Sequence, residues 1–332
     1  MDRSLKLPTM RSGLQRPSLP WLTWIACLAC LVAVPRLLAA QAICSAPHSS
    51  PTLAGGGTIG TLPAGTGWVM ASVLRQSSTD LFSNLGDRQP FLASGRFSTT
   101  SLYLSGGAGV APGLDVWAQA PVHRMHYTDQ GGTRDRTGIG DLRVALRASP
   151  ALVGLQFPVA VRAGLKVPGS TFPVDATIIP LTEGQRDVEV SVETGHAFRI
   201  APLYVMAWAG YRWRDENRIA SRRPGDERFS HLAVGGTIGG TRLELAADHL
   251  YGAPPRQLGF IVNSPRRILQ LAPTVSRRVG VGTLDATAVV PVVGRNLPTG
   301  AAFSVGYRLQ WGQRARAQLP PSVVPMPPAP SD

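Results

Sequence analysis

The chain has 332 residues but only two lysines, Lys6 and Lys166, so 31 of its 33 basic residues are arginine. Charged residues make up 16%, against about 25% in an average soluble domain. No basic run is longer than a pair. The formal charge of +13 is therefore scattered, without the contiguous patch that holds a phosphate backbone, and no nucleic-acid partner is expected. No apolar run reaches the roughly 20 residues of a membrane-spanning helix. Cysteine occurs only at 27, 30 and 44, too sparsely for a disulfide framework. Against these shortages stand 36 glycines and 29 prolines, which argue against long uninterrupted helices. The hydrophobic share of 44% argues against a wholly disordered chain.

Arg3, Lys6, Arg11 and Arg16 precede an apolar run from Trp21 to Val34, and Ala40-Gln41-Ala42 follows. A basic head, a short apolar middle and an A-x-A end are the marks of a secretory signal peptide, so residues 1–42 are expected to be removed. That cut removes five basic residues and one acidic one, leaving 28 against 19, or +9. It also takes Cys27 and Cys30, and Cys44 remains as a lone thiol; Ile43 before it is bulky where a lipid-attachment motif wants a small residue. Residues 43–65, rich in Gly, Ser, Thr and Pro, read as a flexible leader or partial plug. The tail 313–332, with Pro320, Pro321, Pro325, Pro327, Pro328 and Pro330, reads as a stiff extended periplasmic segment.

Between them the sequence has a period of two. Val188, Val190 and Val192 alternate with Glu189, Ser191 and Glu193, and Leu142, Val144 and Leu146 alternate with Asp141, Arg143 and Arg147. Val159 to Val167, Leu243 to Ala247 and Val305 to Trp311 repeat the pattern. Alternation at 180° per residue predicts strands with one apolar and one polar face. Less regular segments near 66–77, 95–108, 113–124, 202–214, 228–239, 266–278 and 282–292 bring the count to twelve. Long links near 78–94, 125–137, 168–185, 214–228, 251–266 and 293–300 take turns with short ones near 110–113, 149–154, 199–202, 239–241 and 279–281. Long loops at one end and tight turns at the other predict an all-β, up-and-down antiparallel transmembrane barrel over 66–312.

A soluble barrel hides its apolar face inside, whereas a membrane barrel turns it to lipid. Twelve strands enclose more space than valine, leucine and alanine fill, so the polar face is expected to line a wet lumen. The aromatic residues agree. Phe157 and Trp311 share the apolar parity at the turn end, and Trp213 and Tyr251 share it at the loop end, as an interfacial girdle would. By the same parity the lumen is lined by Arg143, Arg147, Arg162, Lys166, Arg212, Arg214, Arg242 and Arg308, with Asp115, Asp141, Glu189, Glu193, Glu244, Asp248 and Asp285. Arginines 143 and 147 on one strand and glutamates 189 and 193 on another invite cross-strand ion pairs that brace the wall. The same charges also make a transverse field that orients a polar or aromatic solute.

Motifs for chemistry are few. Gly138-Ile139-Gly140 and the Gly235–Gly240 run open no expected helix, so they read as strand glycines that admit close packing rather than phosphate cradles. His123-x-x-His126 has metal-ligand spacing but no third ligand, and reads as a solvated pair at a loop base. Asp248-His249 differ in parity, and no nucleophile–base pair stands out on one face. No enzyme activity, metal or cofactor is expected.

The stretch Gly113-Leu114-Asp115-Val116-Trp117-Ala118-Gln119-Ala120-Pro121-Val122, followed by Thr137-Gly138-Ile139-Gly140-Asp141-Leu142-Arg143 and Val167-Pro168-Gly169-Ser170, resembles the MetA-pathway phenol-degradation family of outer-membrane proteins. The resemblance spans roughly 60–312. Ser304-x-Gly306-x-x-Leu309-x-Trp311 is similar to the last-strand signal by which outer-membrane barrels engage the insertion machinery. Together these imply outer-membrane lipid and the insertion machinery as partners. They also imply an outer-membrane channel for passive passage of small organic solutes, hydrophobic or aromatic ones among them. The alternative is a non-transporting barrel, structural, adhesive or lipid-modifying.

Overall fold

Twelve antiparallel strands, each paired with its neighbours along the chain, close into a barrel in the computed structural model. The structure describes residues 60–155, 157–169, 180–198 and 201–312, so the expected signal peptide, most of the leader and the proline-rich tail lie outside it. The strands are β1 (Gly67–Ser78), β2 (Arg96–Ala111), β3 (Leu114–Asp129), β4 in two segments (Gly132–Ile139 and Leu142–Ala148), β5 (Val159–Val167) and β6 (Asp187–Ala197). They continue with β7 (Leu203–Arg214), β8 (Glu227–Ile238), β9 (Thr241–Gly252), β10 (Arg266–Val279), β11 (Gly282–Arg295) and β12 (Ala302–Trp311). β12 pairs with β1, setting Trp311 opposite Gly67 and closing the sheet; among the described residues the segment Gly132–Ile139 pairs with β3 alone.

The period of two decides which face goes where. Outward residues are apolar and bare: Val192 is 50% exposed, Leu146 55% and Val305 54%. Inward residues are buried and many are polar, among them Lys166 at 1% and Glu227 at 0%, while Leu74, Tyr103, Met206, Trp208 and Val289 belong to an apolar cluster on the same face. In water this arrangement would expose most of the valine and leucine and forfeit their hydrophobic stabilisation. In lipid each outward side chain has an apolar neighbour and every strand N–H and C=O stays within the closed sheet.

The polarity reverses beyond the loop end of the lipid-facing band. On β2 and β3 the inward residues there are Phe97, Met125 and Tyr127, which pack with Phe91 and Leu181. The outward residues at that level, Arg96, Arg124, His126 and Thr128, are exposed or half-buried and polar. Apolar inside and polar outside is the pattern of a sheet in water, so these strands rise out of the bilayer. The expected long loop near 125–137 is therefore corrected. It is a hairpin in which Asp129 faces Gly132, with strand pairing on both sides.

At the other end the links are mostly tight. Gly239 and Gly240 join β8 to β9 with φ of 55° and 77°, the two left-handed positions of a primed hairpin turn that suits glycine. The link from β4 to β5 is longer than expected, with a 3-10 turn at Pro150–Val153. Phe157 lies in that link rather than in a strand, 67% exposed. At the loop end, two small three-stranded sheets stand beside the barrel sheet, one of residues 80–82, 88–90 and 297–298, the other of 222–223, 256–257 and 260–261.

Candidate functional site: the barrel interior

One side of the interior, from β3 to β8, is lined by charge. Nearest the turn end, Arg147 donates Nε to Asp115 Oδ1 at 3.0 Å and Nη2 to Oδ2 at 2.7 Å, a two-pronged pair across β3 and β4. Its remaining nitrogen Nη1 reaches Glu193 at 3.1 Å, crossing the whole of β5. Four residues along β6 toward the loop end, Glu189 accepts Arg212 at 2.9 Å and lies 3.5 Å from Arg162 and 3.6 Å from Arg143. Gly164 makes room: a Cβ there would fall 2.7 Å from the Glu189 side chain.

Toward the loop end the network tightens. Lys166 Nζ lies 2.7 Å from Asp187, 2.6 Å from Glu183 and 3.4 Å from Asp141. Arg212 and Arg214 both donate to Glu227, at 2.6 and 3.0 Å. Arg266, from β10, meets Glu227 and Glu183, and Arg214 also meets Glu183. Charges this deeply buried persist only when paired, because the cost of removing an unpaired ion from water is several kcal/mol.

Glu183 belongs to no strand. It sits in the segment 180–186, where Leu181 is buried in the apolar cluster against β2 and β3 while Glu183 holds cations from β5, β7 and β10. The segment thus ties opposite parts of the wall together across the loop-end mouth. Arg222, in the small sheet near this mouth, has its guanidinium pushed down to about 10 by burial, with Arg214 adding to the shift and Glu183 opposing it.

The other side, from β9 through β12 to β2, is richer in hydroxyl groups. Ser72, Ser101, Ser105, Thr274, Ser276, Thr283, Thr287 and Ser304 are buried there, interrupted by Asp285 with Arg308 at 3.2 Å and Arg242 at 3.8 Å. Between the two sides, on β7 and β8, Tyr204 lies over Gly235, where any Cβ would strike its ring, and donates its hydroxyl to Glu244. Trp208 stacks on His231 with ring centres 3.5 Å apart, and His231 Nδ1 is 2.6 Å from Asp248. Near the turn end Leu62 enters the interior, packing against the cluster of Trp68, Met70, Trp117 and Ala145, and donating its N–H to Asp115.

Each of the fourteen charged positions expected in the lumen, Asp115, Asp141, Arg143, Arg147, Arg162, Lys166, Glu189, Glu193, Arg212, Arg242, Glu244, Asp248, Asp285 and Arg308, is buried or half-buried. So is Arg214. Each has a hydrogen-bond or ion-pair partner named above. The four girdle aromatics, Phe157, Trp213, Tyr251 and Trp311, are all exposed on the outside. The sequence reading missed Asp187, Glu227 and Arg266, whose parity matched the inward set but which stood at strand starts. It missed Glu183 because nothing periodic marks its segment.

The histidine reading needs correcting. His126 faces out, 2.7 Å from Asp135. His123 does not share its solvated position: it is buried, with its ring over Gly140 and Nδ1 2.7 Å from Ser101 Oγ. A serine–histidine pair on one face of the wall therefore exists, contrary to expectation. Ser101 is 0% exposed, and no carboxylate orients His123 among the described residues, so the pair lacks the access and the third group of an activated nucleophile. Among the described residues no group of three metal-ligating side chains converges.

A closed, even-stranded barrel with an apolar exterior, a charged interior, and the start of β1 and the end of β12 at the short-turn end has the architecture of an outer-membrane β-barrel. A solved structure shares it. A COG4313 outer membrane channel from Pseudomonas putida F1 superposes with a TM-score of 0.63 at 14% identity, covering 77% of this chain and 98% of that one. The translocator domain of the autotransporter NalP from Neisseria meningitidis gives 0.47 at 10% identity over 78% and 93%. The β domain of the Bordetella autotransporter BrkA gives 0.44 at 13% over 74% and 99%. No family model and no curated protein matches the chain.

Proposed function

We propose that this protein is an outer-membrane channel for the passive passage of small organic solutes, hydrophobic or aromatic ones among them. The observation that carries the reading is the interior itself. Its wall has charge concentrated on one side and hydroxyls on the other, with apolar clusters between them, and it presents rings such as Trp117, over which Arg162 lies at 4.5 Å. A transverse field of this kind aligns a dipolar solute, and arginine planes and indoles offer it stacking surfaces. The likeness to a COG4313 outer membrane channel and the sequence resemblance to the MetA-pathway family point the same way. Outer-membrane lipid and, through the closing strand β12, the insertion machinery are its partners in this reading. No enzymatic step and no cofactor is part of it.

One observation favours a non-transporting barrel, structural or adhesive: Glu183 ties three parts of the wall together across the mouth. Liposome swelling separates the two. Vesicles loaded with dextran and carrying the purified protein should swell faster than protein-free vesicles in isosmotic sodium benzoate and in benzyltrimethylammonium chloride, and swell far less in a trisaccharide. Vesicles that swell in none of the three would support the closed barrel and overturn the channel.

A further inference from the structure

Above the apolar band, on the outer surface, a row of arginines runs around the barrel at its loop end. On one arc, cross-strand partners in register are Tyr211 of β7, Arg228 of β8, Tyr251 of β9, Arg267 of β10 and Arg295 of β11. On a second arc they are Phe303 of β12, Arg75 of β1, Thr100 of β2, Arg124 of β3 and Thr137 of β4. The five arginines are exposed, and among the described residues none of them has an ion-pair partner. Arg267 and Arg295 stand directly opposite each other, an arrangement that repels unless an anion lies between them. The interior of the same barrel pairs its arginines with carboxylates almost without exception, which makes the bare outer row a distinct feature.

The side chains face away from the lumen, on the same parity as lipid-facing Val73, Leu102, Val122 and Leu232. Their ligand must therefore lie beside the barrel, with an apolar part against that band and an anionic part level with the arginines. Strands spaced about 4.8 Å apart put Arg228 and Arg267 roughly 10 Å from each other and Arg267 and Arg295 roughly 5 Å, a span that suits a headgroup carrying more than one phosphate. Guanidinium planes match phosphate oxygens two at a time. The rings of Tyr211 and Trp213, 4.9 Å apart, and of Tyr251 complete an interfacial surface with apolar bodies and polar tips. We propose that this row binds the phosphate groups of a phosphorylated glycolipid in the outer leaflet, holding it as an annular lipid of the barrel.

The test is native mass spectrometry of the full chain in dodecyl maltoside, titrated with lipid A. The unaltered protein should retain lipid A, bind phosphatidylcholine at least tenfold more weakly, and keep its lipid A in millimolar inorganic phosphate. The variant Arg228→Gln/Arg267→Gln/Arg295→Gln should lose at least tenfold in lipid A affinity. Should it fail to give the folded, heat-sensitive band on a gel, Arg75→Gln/Arg124→Gln on the second arc is held to the same criterion. Unchanged affinity in the folded variant, equal binding of phosphatidylcholine, or displacement by inorganic phosphate would each overturn the proposal.

Discussion

Arg147 and Glu193 meet at 3.1 Å across the full width of the strand between them. The contact forms because Ala160, the residue of β5 opposite Glu193, is small and inward. Interior charges are thus matched beyond nearest strands, and the wall is braced as a unit. Removing one partner should expose how much the match matters. Lys166→Met leaves Asp187, Glu183 and Asp141 crowded without their shared cation. Breaking a buried pair in this way costs about 3–5 kcal/mol. Urea unfolding in detergent, followed by the heat-sensitive gel shift, should show a midpoint well below that of the unaltered chain.

The tie across the mouth makes its own prediction. Glu183→Gln keeps the shape of the side chain but weakens its hold on Lys166, Arg214 and Arg266. Channel conductance should rise and its open-state noise increase, because segment 180–186 loses its anchor at one end. An unchanged current would show that this segment does not limit flow.

Ion selectivity should be weak despite the excess of arginine in the chain. The interior charges anticipated from sequence are seven of each sign with Arg214 added to the cations, and the structure supplies Arg266 against Glu183, Asp187 and Glu227. The field in a pore is set by its lining rather than by net charge. Reversal potentials in a tenfold KCl gradient should lie close to zero, and Arg162→Glu should move them toward cation selectivity. A strongly anion-selective unaltered protein would contradict this pairing.

The outward face is tested by depth. Val192 is mid-strand and 50% exposed, whereas Val279 is at the turn end and 49% exposed. With both in lipid, Val192→Arg should cost about 2–4 kcal/mol and Val279→Arg about 0–1 kcal/mol. Equal costs in folding titrations into vesicles would contradict the lipid-facing assignment.

Most of the fold was readable because one physical rule, apolar out and polar in, repeats every second residue wherever the strand is in lipid. The rule misled where the strand leaves it. Met125 and Tyr127 alternate with Arg124 and His126 in the inverted sense of a sheet in water, so a regular hairpin read as a loop. The interior was readable as a set of facing residues, as with Arg143, Arg147, Glu189 and Glu193. Contacts made by aperiodic segments were not, which hid Glu183, Leu181 and Leu62. His123 was misjudged because its depth depends on Gly140 and Ser101, which strand parity alone does not bring together.

The central claim, that the charged interior is a conducting path, is tested most directly by single-channel recording of the purified full chain in planar bilayers. The account predicts discrete, reproducible current steps in 1 M KCl that grow when Glu183 is replaced by Gln. A flat current for both proteins, with the barrel shown to be folded and inserted, would contradict it.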